Sequence, residues 1–188
     1  MFNVKKIPVS GITNPVEINP SFRTIRIRNR KGKTIKRRLA FPYMQFCIVR
    51  GTPVVTWSME SINNVNGKVS IPLLPNVYPS GRVCMGGLVA WKPIDFCDNF
   101  WNSTFTPYEY TWYYNCWKWQ TFSDRGWWRI VKFWPNMWST KLRTFSRWER
   151  LSNRAKNPMD VFKRFSDYRF RLGDVIASST ESLWRKKI

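Results

Sequence analysis

The chain has 188 residues, a formal net charge of +21 and no histidine. A chain of this length can form one domain with a hydrophobic core and extensions, and it is short for two domains. Without histidine, the chain cannot by itself supply Ser-His-Asp or Cys-His catalysis, or a metal site that contains histidine. The strong positive charge favours polyanionic partners.

The cysteines show no metal-binding or disulfide pattern. No Cys-x-x-Cys pair occurs, so we predict no structural zinc, no other metal and no cofactor. No stretch approaches the roughly 18 uncharged apolar residues that cross a bilayer, so we expect no membrane span and a location in the cytoplasm or within a virion or ribonucleoprotein particle. The four cysteines are Cys47, Cys84, Cys97 and Cys116.

Positive charge is concentrated at the two ends of the chain. Residues 1–59 hold twelve bases and one acid, and residues 125–188 hold sixteen bases and five acids. The middle of the chain is nearly neutral. We predict a basic N-terminal arm over residues 1–38, an α+β core over residues 39–124, and a basic, Trp-rich helical extension over residues 125–188.

The most basic part of the arm is residues 23–38, with nine bases and no acid. Ile25 and Ile27 alternate with arginines, and residues 30–33 are typical of a turn, so the pattern predicts a two-stranded basic ribbon. A solvated, self-repelling tail is the alternative. Such charge density favours a nucleic acid that neutralises it. The expected nucleic-acid contacts here are Arg23, Arg26, Arg28, Arg30, Lys31, Lys33, Lys36, Arg37 and Arg38.

Three β-rich runs follow the arm. Residues 41–49 and 53–59 are apolar and are separated by residues 50–52, which predicts a hairpin. A third run, residues 69–73, follows an Asn- and Gly-rich turn. The sequence therefore predicts a small antiparallel meander sheet.

Residues 71–93 form a loop of fixed turns around Cys84. The run 75–84 resembles the active-site segment of ubiquitin-conjugating enzymes, and Trp91-Lys92-Pro93 matches the Trp-x-Pro that follows the cysteine in that family. Divergent prokaryotic and phage-borne members are most similar, with Leu-Pro-Asn-Val-Tyr, then Gly-x-Val-Cys. The resemblance covers roughly residues 40–105 and implies a scaffold of the ubiquitin-conjugating (UBC-like) type.

The resemblance also implies a catalytic chemistry. Cys84 would accept a ubiquitin-like modifier from an activating enzyme, and Asn76 would stabilise the oxyanion when a lysine attacks the thioester. Leu74 stands in the place of the family's histidine, which shapes this loop. The alternative is a structural cysteine among ordinary turns, because cysteine often behaves as a small buried hydrophobe.

The rest of the chain has helical patterns. Because the predicted strands come first and the helices follow, the sequence predicts an α+β fold. Helices are predicted over residues 93–105 and 140–156, and two more are predicted to begin at residues 106–109 and 157–160.

Eight of the twelve tryptophans lie between residues 108 and 148, interleaved with Lys and Arg. Aromatic rings can stack on unpaired bases while arginines hold phosphates. The alternative is that these rings build the core. The expected nucleic-acid contacts in this part are Arg125, Trp127, Trp128, Arg129 and Lys132.

Two classes of function compete. The first is a non-enzymatic basic protein of a phage, mobile element or ribonucleoprotein particle, which binds nucleic acid, and with it other proteins of the assembly, on a UBC-like scaffold. The second is a cysteine-dependent conjugating enzyme that forms a thioester at Cys84. The absence of the family's histidine and the extreme charge favour the first class.

Overall fold

The predicted α+β fold class is confirmed by the computed structural model, which describes residues 4–8, 15–28, 32–49, 51–72, 74, 76–77, 81–84, 92–105, 145–163 and 170–177. The described helices are α1 (Pro93–Asn102), α2 (Phe145–Arg154) and α3 (Leu172–Ala177), with a 3₁₀ turn over Pro158–Val161. The described strands are β1 (Val4–Lys6), β2 (Val16–Ile18), β3 (Ser21–Arg28), β4 (Thr34–Phe41), β5 (Tyr43–Val49), β6 (Thr52–Ser58), β7 (Lys68–Val69), β8 (Thr104–Phe105) and β9 (Phe170–Arg171).

The largest described sheet is antiparallel, with strand order β1-β2-β5-β6. The predicted hairpin over residues 41–59 is confirmed as β5 and β6, and Gly51 at the turn has a φ of 75°, which glycine adopts without a steric penalty. The third predicted run does not extend this sheet as a full strand. Ser70 exchanges two backbone hydrogen bonds with Trp57, while β7 pairs with β9.

A second sheet has the order β4-β3-β8, and its strands β3 and β4 lie in the chain between β2 and β5 of the largest sheet. β3 and β4 pair along their whole length, from Ser21 opposite Phe41 to Arg28 opposite Thr34. The predicted boundary at residue 39 therefore falls inside β4. Ile18, Ile25 and Ile27, all within the predicted arm, are buried in the same cluster as Phe46 and Ile48 of β5.

Helix α1 packs on one face of the largest sheet. Phe96 and Phe100 are buried and lie edge-on to Phe46 of β5, with ring centroids 5.2 and 5.4 Å apart. Burial of each such ring contributes about 1.5–3 kcal/mol. Pro93 occupies the first turn, where its missing N–H costs nothing. The helix ends three residues earlier than expected because residues 104–105 become β8, which pairs in parallel with β3.

The opposite face of the largest sheet has a polar half and an apolar half. Lys5, Glu17, Gln45 and Thr56 are neighbours across the four strands. Fully buried Glu17 accepts hydrogen bonds from Gln45 Nε2 at 2.9 Å, from Ser61 Oγ at 2.6 Å and from the backbone N–H of Ile62 at 3.0 Å. Three donors thus replace the water that a buried carboxylate loses. The apolar half packs under residues 170–176.

Of the other three predicted helices, one is present, one is replaced by a 3₁₀ turn, and one lies outside the described residues. The helix predicted over residues 140–156 is present as α2, and its first residues lie outside the described ranges. The helix predicted to begin at residues 157–160 is a 3₁₀ turn over Pro158–Val161, with a capping box between Asn157 and Asp160. The helix start predicted at residues 106–109 and the domain boundary at residue 124 lie outside the described residues.

Candidate nucleic-acid interface

The hairpin β3–β4 separates its residues onto two faces. Because successive side chains of a strand point to opposite sides, the buried Ile25 and Ile27 alternate with exposed positions. The sequence predicted a two-stranded ribbon here, and the pairing of the two strands is confirmed. The outward face contains six exposed threonines and bases and no acid: Thr24, Arg26, Arg28, Thr34, Lys36 and Arg38.

Two of the predicted contact residues are bound to the end of α1. Arg26 donates a hydrogen bond to the carbonyl of Asn102, at the negative end of the helix dipole. The guanidinium of Arg23 lies over the ring of Trp101, 5.1 Å from its centroid. Burial lowers the pKa of Arg23, against the neighbouring Cys97 and Asp98, which raise it. These contacts fix the base of the hairpin to the core.

Two more predicted contact residues are bound to α2. Arg37 forms an ion pair with Glu149. Arg38 lies 3.9 Å above the ring of Phe22 and donates to the carbonyl of Ser152 at 3.2 Å and to Asn153 Oδ1 at 3.4 Å. Arg37 and Arg38 therefore attach the helix to the sheet, and their charges are partly used inside the fold.

Helix α2 also closes the edge of β4. Ala40 donates its backbone N–H to Ser152 Oγ at 2.8 Å, and its carbonyl accepts from Trp148 Nε1 at 3.0 Å. Further along the same edge, the N–H of Arg38 donates to Glu149 Oε1 at 3.4 Å. Side chains of a helix thus take the place of a neighbouring strand, which protects an edge that could otherwise pair with another chain.

The distal half of the hairpin has a different environment. Arg28 and Lys36 are exposed, and neither makes an ion pair with any part of the chain that the structure describes. Lys33 is also exposed. The predicted contacts Arg30 and Lys31 at the turn lie outside the described residues. Among the described bases of the ribbon, Arg28 and Lys36 therefore have their charges available for a ligand.

A second basic surface lies on α2. Arg147, Arg150 and Arg154 are exposed and recur three and four residues apart, so they share one side of the helix. None of these three arginines was among the predicted contacts. Their helical spacing within the predicted helix over residues 140–156 was the signal that could have identified them.

The predicted contacts in the Trp-rich part, Arg125, Trp127, Trp128, Arg129 and Lys132, all lie outside the described residues. Three other tryptophans are described: Trp57, Trp101 and Trp148. All three are buried in the core with phenylalanines around them. For these three, the alternative of core packing is the one observed.

The loop around Cys84 is described in part. The N–H of Cys84 donates to the carbonyl of Asn76 at 2.7 Å, next to a bridge between Val77 and Val83. Asn76 has a φ of 68°, a left-handed conformation that asparagine tolerates better than most residues. Its amide nitrogen lies 3.5 Å from the carbonyl of Thr104, so the amide is directed at the backbone after α1.

The described cysteines differ in burial. Cys84 is half-buried, whereas Cys47 and Cys97 are buried, and burial raises the pKa of each of these two thiols to about 12. Leu74, in the place of the family's histidine, is 1% exposed. A hydrophobic side chain therefore holds this part of the loop against the core.

No family model, no curated protein and no solved structure matches this chain. Within the described ranges, no group of three or more Cys, Asp or Glu residues is placed to hold a metal ion. Among the helices described, none is long and apolar enough to cross a bilayer.

Proposed function

We propose that this protein is a non-enzymatic, nucleic-acid-associated protein that holds phosphate backbones on the outward face of β3–β4. The observation that carries this proposal is the alternation of the hairpin, which places bases and threonines on one exposed face without an acid. Glu149, which lies against β4, is already paired with Arg37. An uncompensated cationic face of this kind gains free energy by releasing the counterions of a polyanion.

The chemistry of this face favours binding without sequence preference. Lysine, arginine and threonine side chains donate hydrogen bonds to phosphate oxygens, and such contacts position a nucleic acid without reading its bases. This is the property expected of a structural component of a phage, mobile-element or ribonucleoprotein particle, where long stretches of nucleic acid must be held. The basic stripe of α2 extends the cationic surface, and other proteins of the assembly would be further partners.

The test compares two double variants that remove equal charge. Arg28→Gln with Lys36→Gln removes two exposed bases of the ribbon that the structure shows in no ion pair within the described residues. Lys68→Gln with Arg171→Gln removes two exposed bases of the β7–β9 sheet. Affinity for an oligothymidylate is measured against salt concentration. Each phosphate contact contributes about −0.7 to the log–log slope for a single strand, so the ribbon variant should flatten the slope by about 1.4.

The control variant should change the slope much less, because its two bases lie outside the proposed surface. Equal slopes for the two variants would contradict the proposal, because the binding would then depend on total charge alone. A circular dichroism spectrum and an unfolding curve for each variant confirm that both remain folded.

The resemblance of the loop to ubiquitin-conjugating enzymes supports a second candidate. Cys84 is the described cysteine that is not buried, and its N–H is bound to Asn76. In this candidate, Cys84 accepts a ubiquitin-like modifier from an activating enzyme. The direction of the Asn76 amide toward Thr104 weighs against it, since an oxyanion donor must point at the reacting carbonyl.

The second candidate is tested by supplying an activating enzyme, modifier and ATP. A reductant-sensitive adduct on a non-reducing gel, absent in Cys84→Ser and present in Cys47→Ser, would make the protein an enzyme. We expect no such adduct.

A further inference from the structure

The distal half of β3–β4 brings two bases and a hydroxyl together on one face. Arg28 lies opposite Thr34 across the ladder, and Lys36 lies two residues from Thr34 on the same strand and face. Opposite side chains are about 4.5–5.5 Å apart at Cβ, and diagonal neighbours about 7–8 Å. The ends of the long Arg28 and Lys36 side chains can therefore approach one phosphate group, with the hydroxyl of Thr34 between them.

The neighbouring bases on this face are held elsewhere. Arg26 is bound to the carbonyl of Asn102, and Arg38 is bound to Phe22 and α2. Their side chains are thus drawn toward opposite sides of the hairpin. Arg28, Thr34 and Lys36 remain as a group toward the distal end of this face.

In the protein without ligand, the charges of this group destabilise the hairpin. Like charges at opposite and diagonal positions of a ladder destabilise it, and Lys36 lies opposite Arg26 and diagonal to Arg28. The backbone cannot rotate these bases away from each other, because Ile25 and Ile27 on the other face are buried in the core. The repulsion acts on the distal rungs, where Ile27 pairs with Phe105 of β8 and packs in the core together with the half-buried Ile35.

We infer that Arg28, Thr34 and Lys36 form a phosphate subsite whose occupation stabilises the distal half of the hairpin. A phosphate accepts charge-assisted hydrogen bonds from both bases and a further bond from the hydroxyl. A ligand that binds the paired hairpin and not the opened one shifts the opening equilibrium by mass action. The inference rests on the proposed function for one point alone, that the phosphate belongs to a nucleic acid.

Hydrogen exchange on the full chain tests this linkage. Backbone exchange of residues 26–36 is measured by mass spectrometry without ligand, with inorganic phosphate and with an oligothymidylate, at constant ionic strength set by sodium chloride. We expect both ligands to slow exchange in this segment severalfold and to leave residues 43–58 unchanged. If inorganic phosphate slows exchange and the oligothymidylate does not, the subsite binds a free anion. This result would support the subsite and contradict the proposed function.

A charge reversal separates this subsite from a general attraction to anions. Lys36→Glu places an acid opposite Arg26, so the hairpin should exchange more slowly than in the wild type without ligand, and the slowing by phosphate should disappear. Lys68→Glu makes the same charge change on β7 and should alter neither result. Faster exchange in unliganded Lys36→Glu, or a retained phosphate effect, would overturn the inference.

The two proposals can fail separately. If Arg28→Gln with Lys36→Gln weakens oligonucleotide binding but neither ligand slows exchange in the wild type, the subsite linkage is wrong and the proposed function stands. If the double variant binds like the control, the proposed function is wrong.

Discussion

Ser152 connects α2 to the sheet, and its removal tests how the hairpin is held. Its Oγ accepts the backbone N–H of Ala40 at 2.8 Å and donates to the carbonyl of Trp148 at 2.8 Å. Ser152 is fully buried, so water cannot replace it. We predict that Ser152→Ala destabilises the protein because the N–H of Ala40 is left without an acceptor on an otherwise closed edge.

The size of the effect follows from two opposing contributions. A buried donor without a partner costs about 1–3 kcal/mol. Alanine has a higher helix propensity than serine, which stabilises the variant by up to about 0.5 kcal/mol. The expected net loss in the free energy of unfolding is about 0.5–3 kcal/mol, which corresponds to about 1–12 °C in Tm for a domain of this size.

The assay is urea unfolding of Ser152→Ala beside Ser146→Ala, which makes the same change at an exposed position of the same helix. Hydrogen exchange at Ala40 supplies the local measurement and should become faster in Ser152→Ala alone. The reasoning fails if the two variants are equally stable, or if the Ala40 amide exchanges at the wild-type rate in both.

Two further predictions concern buried groups. With the pKa of Cys47 and Cys97 raised to about 12 by burial, both stay protonated near neutral pH, so a disulfide reagent should label half-buried Cys84 before either of them in the native protein. Peptide mapping that finds Cys47 or Cys97 labelled before unfolding would contradict this. Glu17→Ala removes the acceptor of two buried donors, Gln45 Nε2 and the N–H of Ile62, and of the exposed Ser61 hydroxyl, and it should cost about 2–5 kcal/mol in urea unfolding. Glu17→Gln keeps one carbonyl oxygen and should cost less than half as much. Equal costs for the two substitutions would show that the network does not depend on an acceptor at this position.

Local patterns predicted the elements whose signals lie within a few residues of each other. The hairpin β5–β6 was visible because two apolar runs flank the Gly51 turn. Helix α1 was visible because Pro93 marks its start and phenylalanines recur on one face. In both elements the chain's local preference agrees with the final packing, so sequence reasoning suffices.

The structure of the N-terminal segment could not be predicted in the same way. Prolines and charge suggested an arm, yet β2 pairs with β5 through contacts such as Val16 with Phe46. The partners of the arginines are also distant, since Arg37 meets Glu149, 112 residues further along the chain. No local pattern specifies a contact of that kind, because it depends on how α2 packs against β4.

The same packing determines how the cationic surface must be tested. A deletion of residues 1–38 removes all the bases of the ribbon, but it also removes Ile25 and Ile27 from the core. Loss of binding in such a deletion would therefore follow from unfolding as readily as from loss of charge. Substitutions at the base of the hairpin share this problem, because Arg37 and Arg38 attach α2 to β4. Arg28 and Lys36 can be replaced without removing an ion pair or hydrogen bond within the described residues, which is why the test of the proposed function uses these two bases.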